Sequence, residues 1–123
     1  MALIASFMVP HPPMIVPAVG RGSESQVEKT IKSYEEIADQ IASLKPETII
    51  ISSPHAVCYS DYFHISPGKK AYGSFAEFRA PDVKFNLEYD EELVERISKI
   101  ALEKNFPAGT LGEKKSELDH GCM

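Results

Sequence analysis

No apolar run in this chain approaches the roughly 18 consecutive residues needed to cross a bilayer. The amino terminus also lacks the basic segment, long apolar stretch and cleavage site of a secretory leader. Membrane insertion and export are therefore not expected, and the cytoplasm is the expected location. Cysteine is scarce: Cys58 and Cys122 are the only two, too few for a disulfide framework and not spaced as a close metal-binding pair. Positive charge is in deficit as well. The 13 Lys and Arg residues are outnumbered by 18 Asp and Glu, for a net charge of -5, which leaves no basic excess to attract a nucleic acid backbone. What remains is the composition of an ordinary globular protein, 43% hydrophobic and 25% charged over 123 residues, enough for one core and one domain spanning 1–123.

The chain reads β-α-β, then a less regular middle, then another helix. Leu3, Ile4, Ala5, Phe7 and Met8 form a nearly continuous apolar run, as do Ile49, Ile50 and Ile51. Such runs favour strands covered on both faces, and they predict strands over Ala2 to Val9 and Thr48 to Ser52. Between them, Ser23 and Gln26 have the spacing of a capping box, and Val27, Ile31, Tyr34, Ala38, Ile41 and Ala42 form one apolar stripe, predicting a helix that Pro46 closes. A crossover of that length suits a parallel return. The expected fold is α/β, a mostly parallel or mixed sheet flanked by helices.

From Cys58 to Phe85, short aromatic runs are broken by Pro67-Gly68 and Ala80-Pro81-Asp82. A strand is expected around Tyr62, His64 and Ile65, with Tyr72, Phe75 and Phe78 serving as satellite packing or a pocket wall. Asp90 opens a second helix whose apolar side carries Leu93, Val94, Ile97, Ile100 and Ala101, and which ends by Asn105-Phe106-Pro107. The acidic run Glu88 to Glu92 is its solvated approach and first turn.

Two imidazoles follow the predicted strands directly: Pro10-His11-Pro12 after the first and Ser53-Pro54-His55 after the second. Proline fixes its own φ and restricts the residue before it, so His11 is held in a narrow backbone range. At the carboxyl ends of neighbouring parallel strands, two such histidines converge on one ion despite their distance in sequence. A histidine at a strand end is more often structural, and His64, which belongs to neither motif, is expected to pack, as is Cys58. Near the end, Leu118-Asp119-His120-Gly121 sets a histidine beside a carboxylate and before a permissive glycine, as in a proton-transfer element or an outer support of a metal. With two residues following it, this loop is expected to fray.

These segments, FMVPHPPMIVPAVGRG, IIISSPHA, APDVKFNLEYDEELVERI and ELDHG, resemble the class III extradiol dioxygenase superfamily. They look closest to the amino-terminal dioxygenase-like domain of the branch associated with AmmeMemoRadiSam proteins. The resemblance implies that His11 and His55 are ligands to a non-haem divalent metal, Fe(II) first, Zn(II) or another divalent ion second. It implies an active-site loop at Asp119, His120 and Gly121 and ring cleavage of a small aromatic diol with oxygen; a catalytic role for the pair Asp119 and His120 is an expectation that goes beyond the match. Family domains are considerably longer, and their later metal ligand and later catalytic histidine have no counterpart here. The third ligand is left open among His120, water, an anion and a partner subunit. The alternative is a catalytically inactive, metal-free fragment that acts in oligomer or partner binding. A chain resembling only the first half of such a domain is expected to form a homo-oligomer that covers its Ile- and Val-rich strands.

Overall fold

The computed structural model describes residues 2–115 and 117–123. After a 3-10 turn at Pro13–Ile15 come α1 (Pro17–Gly20), a second 3-10 turn at Ser23–Val27, and the long α2 (Glu28–Leu44). Then follow β1 (Phe63–His64), β2 (Lys70–Phe75), a 3-10 turn at Ala76–Phe78, β3 (Ala80–Glu88), α3 (Glu91–Glu103) and β4 (Ala108–Gly109). The class is α/β, with helices beside a parallel pair, β1 with β4, and an antiparallel pair, β2 with β3. No helix among the described residues is long and apolar enough to cross a membrane.

Which segments pair differs from the sequence-based expectation. Neither Ala2 to Val9 nor Thr48 to Ser52 enters a ladder among the described residues. Their apolar side chains stand in solvent, with Leu3 86%, Met8 100% and Ile50 73% exposed. A run that is apolar on both faces needs cover on both faces and partners on both edges to become a strand, and the packed elements lie elsewhere. The adjacent-parallel-strand arrangement inferred from the crossover is thus not formed.

Packing concentrates on the hairpin. Along β2, Ala71, Gly73 and Phe75 alternate inward with Lys70, Tyr72 and Ser74 outward, the period of two that a pleated strand demands. The register runs Ala71 to Leu87 and Gly73 to Phe85, then shifts between Ser74 and Phe75 so that Phe75 meets Ala80. Arg79, at φ 61, closes the turn. Ala80-Pro81-Asp82, expected to break the chain, instead begins β3; Pro81 sits beside the irregularity, where a missing N–H is tolerated. Ala71, Phe75 and Ala80 join Leu93 and Ala101 of α3 as the buried apolar residues.

Both helices follow the amphipathic pattern with local corrections. α2 starts at Glu28, and no side-chain cap from Ser23 is made. Its half-buried face includes Tyr34, Ile37 and Ile41, whereas Ala38 and Ala42 are exposed. Lys45, at φ 47, ends it just ahead of Pro46. Asp90 caps α3 as expected, accepting from the Leu93 N–H at 3.0 Å, and Asn105, at φ 51, follows the helix end.

Candidate functional site

Four chain segments meet at the candidate site, each held by an identifiable bond. The His11 segment is tied to α2, where the Tyr34 hydroxyl donates to the Pro10 carbonyl; partial burial pushes the Tyr34 hydroxyl pKa up. Beyond His11 the chain turns at once, Ile15 N–H donating to the Pro12 carbonyl at 3.1 Å, and it reaches Arg21, whose guanidinium donates to the Arg79 carbonyl at 3.0 Å. That bond holds the His11 loop against the corner that carries Phe78. The segment leading to His55 is anchored by Thr48, whose hydroxyl donates to Asp90. The Thr48 bond and the Leu93 N–H together hold the Asp90 carboxyl below its ordinary range.

The carboxyl-terminal segment is docked rather than frayed, which corrects the expectation drawn from its position. Leu118 N–H donates to the Tyr72 carbonyl at 2.8 Å, and Tyr72 forms a parallel bridge with Glu117. Gly73 makes this approach sterically feasible: a Cβ there would lie 2.8 Å from the Leu118 Cβ and would also collide with Met123. The turn that follows brings His120 onto the other two imidazoles.

His11 and His55 face each other through their Nε2 atoms at 2.6 Å, with ring centroids 4.7 Å apart and planes at 75°. The His120 ring lies 4.1 Å from that of His55 and 6.1 Å from that of His11. Phe78 meets His120 edge-on at 5.2 Å and contacts Phe75 at 6.0 Å, so the cluster has an apolar wall. His11 and His120 are half-buried and His55 is exposed. Among the described residues, no three His, Cys, Asp or Glu side chains are together disposed to hold a metal ion.

Around the imidazoles runs a polar network. Asp119 Oδ1 accepts from the Ser53 hydroxyl at 2.7 Å and from the Gly121 N–H at 2.7 Å. Ser53 Oγ in turn accepts from the His55 N–H at 3.2 Å, and Cys122 Sγ lies 3.6 Å from Asp119 Oδ2. Partial burial alone would raise the Asp119 pKa, but the bonds from Ser53, Gly121 and Cys122 and the nearby His120 together outweigh it and leave the carboxyl below its usual range. Burial first, then the Asp119 charge, pushes the Cys122 thiol up to about 11, so it remains a protonated donor at neutral pH.

The four residues singled out by sequence, His11, His55, Asp119 and His120, are thus gathered in one place, while His64 lies apart on β1 against Tyr59. His64 Nδ1 is buried with no hydrogen-bond partner among the described residues. Cys58 is exposed rather than packed, and both thiols are free. Ser53 and Cys122 join the network without a motif in the sequence that marks them. The only available signal for Ser53 was its place two residues before His55, and Cys122 had none beyond adjacency to the glycine.

The family described as the catalytic LigB subunit of aromatic ring-opening dioxygenase matches residues 5–123. Among curated proteins, Protein CA_C1420 of Clostridium acetobutylicum is 40% identical over 130 aligned positions, which cover 100% of this chain and 28% of that protein. The chain therefore spans little more than a quarter of that relative's length. No solved structure matches it.

Proposed function

The chain belongs to the family of the catalytic LigB subunit of aromatic ring-opening dioxygenase, and on that premise we propose a metal-dependent, extradiol-type site for small aromatic diols at His11, His55 and His120. The observation that carries this reading is the 2.6 Å approach of His11 Nε2 to His55 Nε2. Two uncharged imidazoles so placed must share one proton, or else present two lone pairs to one electrophile. Nitrogen ligands at right angles around an ion, each about 2.1 Å from it, stand about 3 Å apart, so the pair needs only a small spread to serve as two ligands. Imidazole donors suit iron and zinc alike, and Fe(II) is the metal of choice for ring opening.

When bound, such a metal would supply Lewis acidity and a meeting point for oxygen and the diol. The chain supplies the rest. His11 and His55 would hold the ion, and His120, one ring away from His55, would take the proton from a diol hydroxyl oxygen. Phe78, backed by the buried Phe75, offers an aromatic ring an apolar surface beside His120 and keeps water from that side.

The test is anaerobic loading with Fe(II), followed by metal analysis and by oxygen uptake with catechol. His11→Ala and His55→Ala should each lose most of the bound iron, and His64→Ala should keep it. Equal retention in all three variants would reject the ligand assignment, and iron binding without catechol-dependent oxygen uptake would reject the reaction.

A second reading, assembly through the apolar segments, is favoured by the exposure of Leu3, Met8 and Ile50. A second copy of the chain would cover residues whose composition suits burial on both faces. Size measured over a dilution series decides this: a dimer or larger species dissociating at low concentration is expected, and a monomer throughout would end the reading.

A further inference from the structure

We propose that Asp119 is a positioning residue, setting His120 against His55 by gripping Ser53 and Gly121 with one carboxylate oxygen. Sequence adjacency would make Asp119 the proton partner of His120. The structure gives its oxygens other work. Oδ1 accepts from both the Ser53 hydroxyl and the Gly121 N–H, Oδ2 faces the Cys122 thiol, and no hydrogen bond joins Asp119 to the His120 ring among the described residues. The result is a continuous chain of donors: His55 N–H to Ser53 Oγ, Ser53 hydroxyl to Asp119 Oδ1, Gly121 N–H to the same oxygen. It joins the backbone beside one imidazole to the backbone beside the other.

Two further contacts lock the same joint. The Cys122 N–H donates to the Asp119 carbonyl at 3.0 Å, closing the turn that carries His120. At Gly121, a Cβ would stand 2.5 Å from Ser53 Oγ, 3.0 Å from Asp119 Oδ1 and 3.3 Å from the His55 ring. The turn and the Ser53-Pro54-His55 segment are therefore flush, with no room for a side chain between them. A hydrogen-bonded carboxylate at the centre of such a joint acts through geometry. Outer supports of this kind typically contribute 10- to 100-fold to metal affinity or activity.

The proposal rests on the metal reading for one of its measurements and not for the other. In metal-free protein, ring-proton NOEs between His55 and His120 report the 4.1 Å approach directly. In protein loaded with Fe(II) without oxygen, the dissociation constant reports its consequence. Ser53→Ala and Asp119→Ala should lose the NOE and weaken Fe(II) binding by about 10- to 100-fold. Ser53→Thr, which restores the hydroxyl, and Asp119→Asn, which keeps an acceptor oxygen, should both retain the NOE. Gly121→Ala should lose it by steric spreading.

Folded Ser53→Ala and Asp119→Ala proteins with an unchanged NOE would overturn the proposal, as would Ser53→Thr or Asp119→Asn behaving like alanine. Should Asp119→Ala fail to fold, the Ser53 pair decides. A wild-type protein that shows the NOE but binds no Fe(II) would end the metal reading while leaving the clamp to the NOE arm.

Discussion

The hairpin β2–β3 mixes apolar with polar residues and the two segments that lead into His11 and His55 are almost wholly apolar, yet it is the mixed one that holds buried side chains. In the hairpin, inward residues alternate with outward ones, a ladder satisfies the backbone, and Ala71 and Phe75 disappear from solvent. In the leading segments the apolar residues are consecutive, no ladder forms among the described residues, and the side chains remain exposed. Alternation lets a strand be stable with one covered face; continuity demands two. His11 and His55 consequently owe their positions to point attachments, Tyr34 to Pro10, Thr48 to Asp90 and Ser53 to Asp119, whereas His120 is carried by a segment docked on β2.

This contrast is open to attack from both sides. The largest effect should come from the hairpin: Phe75→Ala removes a buried ring and should cost about 3–5 kcal/mol, measured by chemical denaturation. A comparable truncation at an exposed position, Ile50→Ala, should change the stability of the isolated chain by no more than about 0.5 kcal/mol. Equal losses at the two positions would erase the distinction. Next in size is Tyr34→Phe, which leaves the ring and removes the donor to Pro10. A loss of about 1 kcal/mol is expected, together with weaker His11–His55 ring contacts by NMR, while amide exchange in β2 and β3 stays as slow as before.

Hydrogen exchange sharpens the comparison further, since amides within β2 and β3 should exchange far more slowly than those of residues 3–8 and 49–51. The smallest effect is on pH dependence. Asp90 and Asp119 are both held below the ordinary carboxylate pKa of 3.8, so each contributes stability that is fully present above that value and is lost as pH falls through its lower folded value. Acid titration of unfolding should show Asp119→Asn with a shallower decline than wild type below about pH 4; a parallel decline would place the acid sensitivity elsewhere.

How far the molecule was legible in its sequence follows the same physical divide. α3 was readable to within a residue because Asp90, a 3.6-residue stripe and Asn105-Phe106-Pro107 all act locally. The residues expected to form the site, His11, His55, Asp119 and His120, stand out in the sequence because proline restriction and a short polar motif are also local signals, and the structure brings the four together. The strands over Ala2 to Val9 and Thr48 to Ser52 were misread because an apolar run states a need for burial without stating that neighbours will meet it. The docking of His120 was missed for a related reason: it depends on Gly73, far away in sequence, offering β2 as a seat. Ser53 is not legible because a serine before a proline carries no signal until a carboxylate lies opposite it.

The three imidazoles come from the beginning, the middle and the end of the chain, at positions 11, 55 and 120. The cluster is therefore a loop closure over the stretch from residue 11 to residue 120, and its entropic cost is met only once the intervening hairpin and helices have ordered. A chain in which the hairpin and helices have not ordered possesses the histidines without possessing their arrangement. The His55–His120 contact is in this sense a checkpoint on completed folding, and its NMR signal should appear last in refolding, after the amides of β2 and β3 are already protected.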